Sequence, residues 1–329
     1  MHKIYSLFLL CLLAIPVEAE TVKTDYTKIN ERASQFVGED FANQSVLKTF
    51  YTDNSGKATL CQALRITPTW YLTAAHCVYR HCGGGKDSCL MEIDLLQCGT
   101  LKASARVEHL RSHSQVFIHP QYHLGAKGDD LARTDMALVH FKPSEKDYWL
   151  YDVVNRHPLT YKEFLQALNR AENRDCLSQW SELEKSYPKL LEVSNNEDRR
   201  ITQPLAVPNF SDAEGKGLAS GMPFLSNAVD NFYCYKKGLA LTNPLRGLCV
   251  GDNFGLKQGK SGSGVVMHGG AVIGVVSLGL HEDDKSLVLT PFSPDNRKFI
   301  ENTIRQSLSS DEKMPNFERF SGHYSEIVE

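Results

Sequence analysis

The sequence lacks an excess of charge of either sign. Among its 329 residues, 36 lysines and arginines stand against 39 aspartates and glutamates, so the formal net charge at pH 7 is −3 with neutral histidines. Proteins that bind nucleic acid usually carry a basic surface that follows the phosphates. No basic cluster of that kind is present in this sequence. We therefore expect no nucleic-acid partner.

Long apolar runs are also missing. No segment reaches the ~18 apolar residues of a membrane-spanning helix. A basic lead at residues 1–3 is followed by an apolar run at 4–15 and a small-residue cleavage site at 17–19, the pattern of a secretory signal peptide. A retained membrane anchor is the alternative. We predict a signal peptide over 1–19, a secreted or periplasmic protein, and no stable membrane span after cleavage.

The nine cysteines include no CxxC pair. Cys11 lies inside the predicted signal peptide, so its removal leaves eight. An even number of cysteines in an exported chain favours disulfides, and the rival hypothesis, a zinc site, usually needs paired CxxC motifs. We therefore expect disulfides, no metal and no cofactor.

No internal repeat and no low-complexity tract interrupts the chain. After a polar leader or flexible segment at 20–35, short β-rich stretches recur between turns of glycine, asparagine, aspartate and proline, which indicates a sandwich or a barrel. We predict one domain over 36–308 and a polar, disordered tail over 309–329. The clearest predicted strands lie at 63–67, 116–118, 136–141, 264–266 and 271–278.

One block departs from the β pattern. Between residues 161 and 191 the apolar residues fall at helical spacing, and Pro188 is placed to end the second part. We interpret this as a helical insertion, at about 155–200, that serves either as structural cover or as an exosite. A further helix is predicted over 295–307.

Three segments carry candidate catalytic residues. His76 follows a β-rich run and two alanines, Asp135 opens an apolar strand, and Ser261 lies among the glycines of GKSGSG at 259–264. A hydrolytic serine needs a base to take its proton, an acid to orient that base, and donors for the oxyanion. The backbone N–H groups of Gly259 and Ser261 are the candidate donors, because glycines at this spacing permit tight curvature.

These segments give the chain a specific resemblance to a known family. TAAHC around His76, TDMALV around Asp135 and GKSGSG around Ser261 resemble the motifs of chymotrypsin-like (trypsin family) serine peptidases, in that family's order. The nucleophile loop is closer to bacterial-type members. The resemblance implies an all-β fold of two six-stranded antiparallel β-barrels, here with a helical insertion in the second half and a C-terminal helix.

The resemblance also implies disulfides and binding residues. Cys61 and Cys77 match the pair that flanks the catalytic histidine, and Cys249 matches a cysteine whose natural partner is Cys234. The remaining four cysteines allow three pairings, one of which joins Cys82 to Cys89 and Cys98 to Cys176. Substrate contacts are expected from two segments, the strand Ser277-Leu278-Gly279 and the specificity pocket at Gly255 and Leu256. The resemblance also implies that Ser277 supports the buried aspartate.

Lys260 is the main departure from the family pattern. Trypsin-like enzymes carry an aspartate there, which receives the new amino terminus after zymogen cleavage. We hypothesise that this oxyanion loop is ordered without that salt bridge and that Lys260 pairs with a carboxylate such as Asp252 or Asp40. Simple exposure to solvent is the alternative. The pocket residues favour an apolar or small side chain, with Asp252 as a weak candidate for a cation receptor.

These observations favour an exported, monomeric serine endopeptidase that acts on protein or peptide substrates through an acyl-enzyme intermediate. A catalytically silent homologue used as a binding or regulatory module is the alternative. A serine esterase of another fold is disfavoured by the order of the motifs and by Ser263, which stands where a GxSxG elbow requires glycine.

Overall fold

The structure is a computed structural model of the chain. It describes residues 44–50, 58–82, 88–110, 116–141, 148–152, 154–185, 187–193, 204–207, 224–229, 248–251, 259–267, 269–279, 287–307 and 313–320. The predicted signal peptide and leader lie outside these residues.

Nine strands form the first sheet, in the order β6-β7-β3-β2-β1-β4-β5-β8-β9, and every pairing between neighbours is antiparallel. Strand β3 is buried along its whole length, as its unbroken apolar sequence predicts. The strands are β1 (Gln44–Phe50), β2 (Ala58–Arg65), β3 (Trp70–Thr73), β4 (Ser88–Cys98), β5 (Leu101–Leu110), β6 (Val116–Ile118), β7 (Ala137–His140), β8 (Tyr148–Asp152) and β9 (His157–Leu159).

The second sheet follows the order β14-β11-β12-β13-β16-β15-β10-β17, and an additional β14–β15 pairing joins the two ends of a run of six antiparallel strands. Its strands are β10 (Lys189–Glu192), β11 (Pro204–Val207), β12 (Phe224–Val229), β13 (Leu248–Gly251), β14 (Gly264–Met267), β15 (Val272–Gly279), β16 (Leu287–Pro291) and β17 (Asn316–Arg319).

The described residues also form helices. They are α1 (Ala75–Cys82), α2 (Gly128–Thr134), α3 (Tyr161–Leu168), a 3₁₀ turn (Ala171–Asn173), α4 (Arg174–Lys185) and α5 (Pro294–Ser307). None of the helices in the described part of the chain combines the length and apolar character needed to cross a bilayer.

The predicted helical insertion is confirmed as α3 and α4, which lie in the chain between β9 and β10. Thr160 caps α3 by accepting a hydrogen bond from Glu163 N, and the Glu163 side chain accepts one in return from Thr160 N, so the helix start is locally encoded. The helices pack Phe164 and Trp180 against the first sheet. The C-terminal helix α5 is also confirmed.

The expectation of a disordered tail is wrong for residues 313–320. There the chain forms β17, which pairs in parallel with β10. The Phe317 ring lies 6.0 Å from the Phe292 ring, and Lys189 Nζ lies 3.0 Å from Glu318 Oε1. One partly buried aromatic side chain and a neighbouring edge strand therefore outweigh the polar composition of this segment.

One hydrophobic core spans both sheets. Trp70 and Leu72 from β3 pack in the same cluster as Val266 from β14 and Ile300 from α5. The ends of β3, β7, β14 and β15 are thereby brought together at the junction of the two sheets, and this junction is where the candidate catalytic residues lie.

Candidate active site

His76 and Asp135 are placed by two neighbouring strands. Strands β3 and β7 are antiparallel, and Thr73 lies opposite Ala137. His76 comes three residues after Thr73, and Asp135 comes two residues before Ala137. The register therefore delivers both side chains to the same end of the strand pair.

Asp135 is fully buried and accepts three hydrogen bonds. Its Oδ1 accepts from the His76 backbone N at 2.8 Å, and its Oδ2 pairs with His76 Nδ1 at 2.7 Å. Ser277 Oγ donates to the same Oδ2 at 2.6 Å. Burial of a carboxylate is costly without partners, and these three donors offset that cost.

The bond to Asp135 sets the tautomer of His76. A carboxylate accepts hydrogen bonds but does not donate them, so Nδ1 carries the proton and Nε2 is left with a free lone pair. The His76 side chain is 32% exposed, so Nε2 can meet a substrate or a proton donor. The arrangement is that of a general base with an orienting acid.

Ser277 reaches Asp135 because strand β15 is irregular at this point. The register of β15 against β16 shifts between Val276 and Leu278. Such a bulge re-aims the side chain of the extra residue, and Ser277 is itself fully buried. The sequence resemblance implied that this strand contacts substrate and that Ser277 supports Asp135, and the hydrogen bond confirms the second expectation.

Ser261 lies in a loop held by backbone hydrogen bonds from both sheets. Its carbonyl oxygen accepts from Gln62 N on β2 at 2.8 Å. Gly262 N donates to Val276 O at 2.8 Å, and Val276 N donates to Ser263 O at 2.9 Å, both on β15. The loop is therefore fixed on either side of the candidate nucleophile.

Two glycines of this loop have backbone angles that favour glycine. Gly259 has φ of 98° and Gly262 has φ of 84°. A Cβ atom added at Gly262 would overlap the Gln62 carbonyl oxygen and Thr73 Oγ1. Gly262 is therefore required both by its conformation and by the close approach of β2 and β3.

In the part of the chain that the structure describes, the base and the candidate nucleophile are not hydrogen-bonded. Among the described residues, no hydrogen bond joins Ser261 Oγ to His76 Nε2, and the closest polar contact given for Nε2 is Cys77 Sγ at 3.7 Å. The acid–base half of the arrangement is thus complete, while the bond from base to nucleophile is not formed. Such bonds commonly tighten only when substrate is present.

The predicted disulfide between Cys61 and Cys77 is confirmed, and Cys98 is joined to Cys176. His76 and the two sulfurs of the first disulfide lie within 4.8 Å of one another, a spacing suited to a metal. Both sulfurs are bonded to each other, so His76 is the one member of this group with a free ligand atom. The pairs predicted for Cys82 with Cys89 and Cys234 with Cys249 lie outside the described side chains.

Lys260 is buried, with 4% of its surface exposed. The alternative that it is simply exposed to solvent is therefore wrong. The proposed partners Asp252 and Asp40 lie outside the described residues, as do the pocket residues Gly255 and Leu256. Leu278 and Gly279 continue β15 beyond Ser277, where they pair with Val288 and Leu287 of β16.

Sequence reasoning missed Gln62 and Ser263. Ser263 Oγ donates to Gln62 Oε1 at 2.5 Å, and both residues are fully buried. The one available signal was a glutamine inside the apolar strand LCQAL, directly after Cys61. A polar side chain at such a position normally has a specific partner.

A cavity of about 540 Å³ lies elsewhere in the molecule. Its lining comes from β6, the turn that follows β6, and α5. It includes His119, whose pKa is lowered to about 4 by burial and, to a smaller extent, by the charge of Arg133. His76, Asp135 and Ser261 are not among the residues that line this cavity.

Comparisons with known proteins agree on the fold. No family model matches the chain, and no curated protein matches it. Among solved structures, GrC (granzyme C) superposes with a TM-score of 0.52 at 15% identity, covering 82% of this chain and 97% of that one.

Two further structures are similar at lower scores. HL collagenase has a TM-score of 0.45 at 17% identity, covering 81% of this chain and 94% of that one. The scabies mite inactivated protease paralogue S-I1 has a TM-score of 0.48 at 12% identity, covering 82% and 96%. The likeness to granzyme C and the two sheets described above show that this chain has the two-barrel, mostly β fold of chymotrypsin-like serine proteases.

Proposed function

We propose that this chain is a serine endopeptidase with the triad His76, Asp135 and Ser261. The observation that carries the proposal is the buried Asp135 carboxylate bonded to His76 Nδ1 at 2.7 Å, beside a glycine-shaped loop that holds Ser261. This bond orients the His76 ring as a general base requires. A structural role alone would not need a partly exposed imidazole with a free Nε2.

In the proposed reaction, Ser261 Oγ attacks a peptide carbonyl while His76 Nε2 takes its proton. Asp135 holds the ring and stabilises its charged form. The backbone N–H groups of Gly259 and Ser261 donate to the oxyanion. His76 then protonates the leaving amine, and water hydrolyses the acyl-enzyme.

Labelling with a fluorophosphonate probe tests this proposal. We expect wild-type protein to be labelled and to cleave peptides, and Ser261→Ala to lose both by several orders of magnitude while staying folded. Ser307→Ala, at the last residue of α5, is the matched control and should behave as wild type. Full activity in Ser261→Ala would refute the triad.

A second candidate is a catalytically silent homologue that binds proteins. The missing bond between Ser261 Oγ and His76 Nε2 among the described contacts is the observation that favours it. The same experiment separates the two, because a silent homologue would show neither labelling nor cleavage in the folded wild-type protein.

We also infer that the nucleophile loop needs no new amino terminus. Lys260 is buried and cannot receive an ammonium group, while the loop's backbone bonds run to β2 and β15. We expect signal-cleaved protein and a version that begins at Phe36 to be equally active. A strict requirement for a free Phe36 amine would contradict this inference.

Location and cleavage preference follow from the disulfides and from the sequence of the pocket. We propose export to a secreted or periplasmic location, since two disulfides persist most readily in an oxidising compartment. We propose a preference for apolar or small side chains and a bacterial-type nucleophile loop. A peptide-library cleavage profile tests the preference directly, and dominant cleavage after arginine or lysine would overturn it.

A further inference from the structure

Gln62 occupies an unusual place for a polar residue. It is the residue after Cys61 on β2, its side chain is fully buried, and the residues on either side of it in the strand are also buried. A long amide side chain inside an apolar strand loses its hydration on folding. Such a side chain therefore needs a specific partner inside the protein.

Gln62 contacts three consecutive residues of the nucleophile loop. Its backbone N donates to Ser261 O at 2.8 Å. Its carbonyl oxygen lies against Gly262, where an added Cβ would overlap it. Its side-chain Oε1 accepts from Ser263 Oγ at 2.5 Å. Only the third contact depends on which side chain stands at position 62.

The other end of the same amide is left without a partner. Gln62 Nε2 is buried and makes no hydrogen bond within the part of the chain that the structure describes. An unpaired buried donor lowers the stability of the folded state. An apolar side chain of the same length would avoid that loss, so the glutamine is not explained by stability.

The bond to Ser263 links the loop to the rest of the site. Val276 N donates to Ser263 O at 2.9 Å, and the next residue, Ser277, donates to Asp135. Ser263 is thus held from β2 by Gln62 and from β15 by Val276. Ser261, two residues before it, has no hydrogen bond from its hydroxyl to His76 among the described residues, so the contacts of its loop, this one included, position the hydroxyl.

We propose that Gln62 is a positioning residue for Ser261, acting through its hydrogen bond to Ser263. This proposal rests on the proposed peptidase function. Without the bond, the loop keeps its backbone contacts but the Ser261 hydroxyl is held less well for transfer of its proton to His76. Small displacements of reacting groups lower the rate of the chemical step more than they lower substrate binding.

The decisive variant is Gln62→Met, which keeps the length of the side chain and removes the amide. We expect kcat and the rate of fluorophosphonate labelling to fall about 10- to 100-fold. We expect KM to change little. We also expect the melting temperature to change little, because the variant removes the unpaired Nε2 but leaves the buried Ser263 hydroxyl without its acceptor. A purely structural role predicts the reverse, a fall in activity only in step with a fall in stability.

Two further variants sharpen the test. Ser263→Ala removes the same bond from the other side, so its loss of kcat should match that of Gln62→Met, and the double variant should be no slower than either. Gln166→Met, on the exposed face of α3, is the matched control and should be neutral.

Each outcome decides the matter. Active wild type with an equally active Gln62→Met, additive losses in the double variant, or a melting temperature that falls together with kcat would overturn the positioning role and leave the peptidase proposal standing. Folded wild type that is neither labelled nor active would overturn both.

Discussion

The two halves of the candidate active site are held in different ways. The Asp135 carboxylate accepts hydrogen bonds from His76 Nδ1 at 2.7 Å and from the His76 backbone N at 2.8 Å, and Ser277 Oγ adds a third at 2.6 Å. Ser261, by contrast, is placed by backbone bonds of its loop to β2 and β15. The first half depends on one carboxylate and its donors, whereas the second depends mainly on the path of the backbone, to which the Gln62–Ser263 side-chain bond is added.

The two halves should therefore be sensitive to different kinds of substitution. A change in hydrogen-bonding chemistry should disable the acid–base half without unfolding it, because the strands β3 and β7 remain paired. A change in volume should disable the serine half, because the loop passes so close to β2 that a single added carbon has no room. The predictions below test this contrast, starting with the largest expected effect.

Asp135→Asn should lower kcat by about four orders of magnitude. The asparagine amide can donate to His76 Nδ1, which favours the wrong tautomer and leaves Nε2 protonated. Circular dichroism should still report a folded protein. Asp295→Asn, an exposed residue at the start of α5, serves as the control. A fall of less than tenfold for Asp135→Asn would show that the His76–Asp135 bond does not act in catalysis.

Gly262→Ala should lower both activity and stability. The added Cβ would overlap Gln62 O and Thr73 Oγ1 and would lie 3.0 Å from Ala74 N, so we expect a loss of about 3 kcal/mol or more and at least a 100-fold fall in kcat. Denaturant titration and steady-state kinetics measure the two effects.

Gly269→Ala is the matched control for that variant. Gly269 also has a positive φ, of 85°, but nothing described lies within 4 Å of a Cβ added there. Its cost should be about 1–2 kcal/mol from backbone conformation alone. Equal losses of stability in the two variants would show that crowding against β2 does not constrain the loop.

Ser277→Ala should have the smallest effect on catalysis, about a tenfold fall in kcat, because Asp135 keeps its two bonds to His76. Loss of a hydrogen bond to a carboxylate should also cost about 1.5–3 kcal/mol of stability. Ser104→Ala removes a comparable buried bond, of 2.6 Å, to Asp94 in the first sheet. The two variants should lose similar stability, but only Ser277→Ala should lose turnover.

Much of the fold could be predicted from local patterns. The strand at 116–118 and the helix at 295–307 were predicted to within a residue, because alternating or helical apolar spacing reports burial directly. Strand β17 in the tail was not predicted, because it forms only by adding to the edge of β10. Parallel pairing of distant segments leaves no signal in the polar composition of the segment itself.

The candidate site divides in the same way. His76, Asp135 and Ser261 could be proposed from their motifs, because the chemistry of a serine nucleophile restricts the residue types around it. Gln62, Ser263 and the burial of Lys260 could not, because each depends on which strand passes next to the loop.

By itself, the sequence determined the β-rich pattern, the helices of the insertion and the three candidate catalytic residues, since these depend on local apolar spacing and on residue chemistry. Only the tertiary structure decided that Gly262 has no room for a side chain and that Gln62 bonds Ser263. These contacts join residues up to 201 positions apart. Their geometry depends on how two sheets pack, which no single segment encodes.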